Sequence, residues 1–123
     1  MQKNFQKSRA IYEQIIEGIK KMLIRGEFKP GDKLPSQREM AQKLEVNPNT
    51  IQRAYREMEV MGLTESRRGI GTYIKEDGNL VKGIKEEMAE RSVKNFKREM
   101  ESLGFSPPEI KDWLKRIIDL EKT

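Results

Sequence analysis

The feature that most narrows the possible folds is a pair of helix starts set eleven residues apart, Ser36-Gln37-Arg38-Glu39 and Asn47-Pro48. In the first, the serine hydroxyl can accept the Glu39 amide while the glutamate reaches back to the serine amide, so that two otherwise unpaired donors are satisfied reciprocally. In the second, asparagine is a favoured N-cap, and proline suits the first helical position because its missing N–H would be unpaired there anyway. A helix opened at Ser36 must therefore end near Glu45-Val46. Only about three residues then separate it from the next helix, the spacing of a helix-turn-helix.

The flanks extend this unit. Ile11, Tyr12, Ile15, Ile16, Ile19, Met22 and Leu23 recur at steps of three and four, which predicts a helix over about Arg9–Arg25 with Ser8 as its cap and Gly26 just past its end. Lys29-Pro30-Gly31-Asp32 reads as a tight turn, followed by the short extended piece Lys33-Leu34-Pro35. The second helix turns Met40, Ala41 and Leu44 inward. The third runs from Asn47 to Met61 with Ile51, Ala54, Tyr55, Met58 and Met61 inward, closed by Gly62. The period then changes. Leu63–Ser66 and Thr72–Ile74 read as two strands around Arg67-Arg68-Gly69-Ile70-Gly71, a small basic wing.

Composition closes off other readings. Cysteine and histidine are both absent, which removes disulfides, thiolate or imidazole zinc sites and the commonest nucleophile and base pairs. The paired carboxylates Glu57/Glu59 and Glu86/Glu87 read as solvated helix faces, and no enzyme, cofactor or metal is expected. No apolar run approaches the roughly 18 residues of a membrane span, and Met1-Gln2-Lys3-Asn4-Phe5 lacks a signal-peptide core, so the expected location is the cytoplasm with no membrane partner. Charge is uneven. Up to Lys75 there are 15 Lys and Arg against 9 Asp and Glu, and beyond it 10 against 11, so the positive excess belongs to the first part. Clustered cations of this kind suit a polyanion, or merely a soluble basic surface.

Asn49, Thr50, Gln52, Arg53 and Arg56 fall off the apolar stripe of the third helix. Amide, hydroxyl and guanidinium groups are the types that read base edges and grip phosphates, although any solvated helix face carries such residues. Combined with the helix spacing, the flanking glycines, the wing arginines and the basic bias, they point to double-stranded DNA.

The stretch Pro30-Gly31-Asp32-Lys33-Leu34-Pro35-Ser36-Gln37-Arg38-Glu39-Met40-Ala41, then Val46-Asn47-Pro48-Asn49-Thr50-Ile51, closed by Gly62-Leu63 and Gly69-Ile70-Gly71-Thr72-Tyr73-Ile74, resembles the DNA-binding domain of GntR-family regulators. The resemblance implies DNA contacts from Arg38, from the start of the third helix and from Gly69. The candidate DNA-binding set is Ser36, Gln37, Arg38, Asn47, Asn49, Thr50, Gln52, Arg53, Arg67, Arg68 and Gly69. Many members carry arginine where this chain has Pro48 and Gln52, so a common guanine-reading contact does not transfer. The Asn47-Pro48-Asn49-Thr50 version and a short tail resemble the YtrA subfamily, which implies a repressor, a transporter operon as target and a dimer formed by the tail.

Asp77-Gly78-Asn79 marks a boundary between a winged helix-turn-helix at 1–76 and a helical extension at 77–123. In the extension, a helix over Leu80–Leu103 carries Ile84, Met88, Ser92, Phe96 and Met100 every four residues. After Gly104, Ser106-Pro107-Pro108-Glu109 opens a last helix with Ile110, Trp113, Leu114, Ile117 and Ile118 on one stripe. The fold class is thus mainly α with a small β-wing, followed by a two-helix hairpin. The pair has more apolar surface than it can hide. Ile84, Met88, Phe96, Met100, Ile110, Trp113, Leu114 and Ile117 are the candidate dimerisation residues of a homodimer, the alternative being that the tail covers the first helix of its own chain. Two rival functions remain at this point: a winged helix that docks a protein, and an enzyme or sensor whose tail forms a ligand pocket, at the dimer interface or between tail and head, for a small-molecule ligand or effector unknown from sequence.

Overall fold

In the computed structural model, which describes residues 4–121, the elements follow in the order α1 (Ile11–Ile24), α2 (Gln37–Leu44), α3 (Pro48–Val60), β1 (Thr64–Arg67), β2 (Gly71–Ile74), α4 (Leu80–Ser102) and α5 (Pro107–Glu121). Met1–Lys3, read above for the absence of a leader, lie outside the described residues. Two compact units divide between Lys85 and Glu86.

The first unit is built on the apolar stripe of α1. Ile15, Ile16, Ile19 and Leu23 are buried together with Leu34, Met40, Ala41, Leu44, Ile51, Ala54, Tyr55, Met58, Leu63 and Ile74. One core therefore joins α1, both helices of the helix-turn-helix and the wing. Two residues assigned inward are not. Ile11 is 40% exposed and Met61 is 48% exposed, because each stands at a helix end, where the stripe has run past its neighbours.

The start of α1 also differs from expectation. Ala10 holds the N-cap position with no side-chain cap, and Ser8 takes no part. Gln14 does related work instead: its Oε1 accepts the Gln6 amide at 2.8 Å, and its Nε2 donates to the Gln6 carbonyl at 2.8 Å and the Arg9 carbonyl at 3.1 Å. A side-chain amide carries the same donor and acceptor as a peptide, so residues 6–9 are pinned along α1 and the helix begins later. Arg9 then reaches Glu17 at 2.6 Å. That hydrogen bond, foremost, holds the Glu17 carboxyl below its usual range.

The two predicted starts form as read. Ser36 Oγ accepts from the Glu39 amide at 3.1 Å and Glu39 Oε1 accepts from the Ser36 amide at 3.2 Å. Asn47 Oδ1 accepts from the Asn49 amide at 2.8 Å, with Pro48 as the first residue of α3. Between them, α2 ends on Glu45 in the left-handed region.

In the wing, β1 and β2 pair antiparallel, from Thr64 opposite Ile74 to Arg67 opposite Gly71. The turn closes by Ile70 N–H donating to the Arg67 carbonyl at 2.9 Å, with Gly69 at φ +75°. A third extended piece joins this pair. Gly31 N–H donates to Ile74, Ile74 N–H to Asp32, and Leu34 N–H to Thr72, all within 2.9 Å. Gly71 stands in this ladder at φ +136°, a conformation that residues with a Cβ rarely adopt. The stretch before α2 thus fixes the wing to the helix-turn-helix.

In the second unit, the turn after α4 brings Phe105 edge-on to Trp113, with ring centroids 6.3 Å apart. Ser106 opens α5 by donating its amide to Glu109 Oε1 at 2.9 Å. The element pairs whose backbones approach closely are β1 with β2, α1 with α3, α2 with α3, and α3 with β1. α4 with α5 is not among them.

Candidate nucleic-acid interface

Of the two capping residues, Ser36 starts α2 and Asn47 starts α3, and the second retains donors of its own. Ser36 is committed to Glu39, its Oγ accepting from the amide and its hydroxyl drawn to the carboxylate, whereas Asn47 Oδ1 accepts from the Asn49 amide, which leaves the Nδ2 protons for an outside partner. Ser36, Gln37, Arg38, Asn47, Asn49 and Gln52 are exposed and Thr50 is half-buried. The helix-turn-helix thus presents a continuous row of polar side chains. Those of Arg38, Asn49, Gln52 and Arg56 make no hydrogen bond or ion pair with another described residue.

Arg53 does not share this freedom. Its guanidinium lies 4.0 Å from the centroid of the Tyr12 ring, and Nη2 donates to Tyr12 Oη at 3.3 Å. The two wing arginines also differ. Arg67 stacks 4.0 Å over Tyr73 and pairs with Glu65 at 3.1 Å, whereas Arg68, beside Gly69 in the exposed turn, has no such partner. Glu59, read as a solvated carboxylate, accepts from the amide and hydroxyl of Ser66 at 3.3 and 3.4 Å and so ties β1 to α3.

Tyr12 was missed as a functional candidate. It sits at the edge of the α1 stripe and reads as core, and nothing local announces a partner 41 residues away. An open cleft of about 440 Å³ runs along α1, lined by residues of α1 and of the segment before it, including Gln6, Arg9, Glu17 and Lys21. It includes no residue of α2, α3 or the wing. Its acid Glu17 is already paired with Arg9 and Lys21.

On the tail, Ile84 and Ile110 are buried within the single chain, and Met88, Phe96 and Met100 are half-buried. The largest group of open apolar side chains is on α5: Trp113, Leu114 and Ile117 are 42%, 39% and 47% exposed, with Ile118 and Leu120 also exposed, while Val93 of α4 and Leu103 stand open elsewhere on the tail. No helix among the described residues is long and apolar enough to cross a membrane.

Residues 11–74 match the family described as bacterial regulatory proteins, gntR family. The chain is 45% identical over 115 residues to the HTH-type transcriptional regulator YhcF of Bacillus subtilis, covering 94% of this chain and 95% of the relative. To the HTH-type transcriptional repressor YtrA of the same organism it is 42% identical over 112 residues, covering 89% and 85%. Among solved structures, a GntR family transcriptional regulator from Listeria monocytogenes superposes with a TM-score of 0.80 at 41% identity, covering 91% of this chain and 98% of that one. With this match, the capped helix pair and the wing in hand, the chain belongs to the GntR family of DNA-binding transcription regulators, in its YtrA-like branch and not among enzymes.

Proposed function

We propose that the chain is a repressor that binds an inverted-repeat operator as a homodimer, its winged head at 1–76 meeting DNA and its extension at 77–123 joining the copies. The observation that carries the DNA-reading part is the row of spare donors on the capped helix pair, Arg38, Asn49, Gln52 and Arg56. Side chains without internal partners can exchange water for phosphate or base edges without breaking a protein contact. In this reading Asn49, Thr50 and Gln52 face the major groove. Ser36, Gln37, Arg38, Asn47, Arg68 and the Gly69 backbone hold phosphates.

The dimer is supported by the apolar stripe of α5. Leaving it wet is unfavourable by roughly 25 cal/mol per Å², and a second copy offers the matching surface by two-fold symmetry. Repression follows the naming of the relative YtrA as a repressor, and a transporter operon is the target that membership of that branch suggests. Affinity for a mixed-sequence duplex, measured by fluorescence anisotropy over a range of salt, tests the DNA interface. A steep fall, with log K dropping by about 0.9 per log unit of salt for each phosphate engaged, is expected. Binding that is weak at low salt and indifferent to it would support the protein-docking alternative.

A further inference from the structure

Arg53 is the one guanidinium on α3 that is held by another helix. Its neighbours on the exposed face, Asn49, Gln52 and Arg56, extend from α3 without a partner among the described residues, while Arg53 lies over the Tyr12 ring, 4.0 Å from its centroid, and donates to the phenol oxygen at 3.3 Å. Tyr12 Oη in turn donates to Glu13 Oε1 at 3.2 Å. The single hydroxyl proton is thereby directed to Glu13, which leaves the oxygen lone pairs for Arg53 and fixes the direction of the chain Arg53 to Tyr12 to Glu13. Both residues stand at the first unit's surface, Arg53 exposed and Tyr12 half-buried.

An arginine that reads a guanine must extend away from its helix to the floor of the groove and present two parallel N–H groups. Arg53 is drawn sideways, toward α1, where the lip of a groove and its phosphates would lie. Of its five N–H groups one is taken by Tyr12 and the rest remain available to an anion. We propose that Tyr12 is a positioning residue that holds Arg53 at the α1 flank of α3 as a clamp on a backbone phosphate, so that this arginine contributes affinity and not base preference. The inference rests on the functional reading above, in which α3 enters the groove.

The test uses the full chain with two duplexes, a selected operator and a mixed sequence, titrated over a range of salt, with melting temperatures recorded for every variant. Arg53→Gln should weaken both duplexes alike, by about tenfold, and lower the salt slope by about one. Tyr12→Leu should cost roughly three- to fivefold on both duplexes in the wild-type background and nothing further in an Arg53→Gln background, while Tyr12→Phe, which keeps the ring, should retain most of the affinity. An Arg53→Gln loss confined to the operator, or an unchanged salt slope, would overturn the phosphate clamp. A Tyr12→Leu loss as large without Arg53 as with it would overturn the positioning role. If the wild type binds neither duplex, the functional reading itself fails and takes this one with it.

Discussion

Tyr55 on α3 donates its phenol to the backbone carbonyl of Pro35, immediately before the cap of α2, at 2.6 Å. The ring is buried in the core, and burial, followed by the negative charge of Glu39, pushes the phenol above its ordinary value, so it remains a donor at any working pH. This bond ties the second helix of the pair to the entrance of the first, and thereby sets how the two sit. Tyr55→Phe should destabilise the head by about 1 kcal/mol, since the Pro35 carbonyl loses its partner. That corresponds to a melting temperature lower by roughly 4–8 °C for a unit of this size. An unchanged melting curve would mean that the bond contributes nothing net.

The two capping carboxylates give a pH prediction. Hydrogen bonds from the Ser36 backbone and side chain hold Glu39 below its ordinary value of 4.5, and those of Ser106 do the same for Glu109. A carboxyl depressed on folding adds stability that is complete above the ordinary value and is lost as pH falls through the lower folded-state value. The contribution of these caps to stability should therefore fall away on the acid side, as pH drops below about 4.5. Glu39→Gln and Glu109→Gln should each flatten part of that acid limb, and an acid limb identical in all three proteins would remove these caps as its source.

Arg38 and Gln52 should fail differently. Arg38→Ala, which removes a charge at the start of α2, is expected to weaken binding to all duplexes by about tenfold and to reduce the salt slope by about one. Gln52→Ala should leave mixed-sequence binding nearly intact while discrimination at one base pair relaxes by about 1–3 kcal/mol. Competition titrations separate the two outcomes. Equal effects on both kinds of duplex from Gln52→Ala would remove it as a base reader.

Trp113 lies in the open patch of α5 and packs edge-on to Phe105. Because a two-fold interface contains every residue twice, Trp113→Ala should weaken self-association by about 2 kcal/mol for each copy and operator affinity with it. Sedimentation equilibrium measures this directly. A wild type that sediments as a monomer at micromolar concentration contradicts the proposed tail interface.

Much of the head could be read from local chemistry. The Ser36 box, the Asn47-Pro48 start, the left-handed glycines at 26, 31, 62 and 69 and the buried stripes of α2 and most of α3 depend on residues within a turn of one another. What escaped depends on partners far apart in sequence. The pairing of residues 31–34 with β2, the hold of Glu59 on Ser66 and the capture of Arg53 by Tyr12 span 7 to 43 residues, and no periodicity encodes them. Gln14 escaped for a different reason: a polar residue on a helix gives no sign that its amide will stand in for a peptide group. At the interface, residue types were legible while their availability was not. Arg53, Arg67 and Arg68 look alike in sequence, yet only Arg68 is left without an internal partner.

Selection of bound sites from a random double-stranded DNA pool tests the central claim most directly, because it reports sequence, symmetry and spacing together. The account predicts enrichment of an inverted repeat whose half-site centres lie about 34 Å apart along the duplex, or a multiple of that, as two symmetry-related recognition helices require. A pool that shows no enrichment, or that yields a single unrepeated half-site, would contradict it.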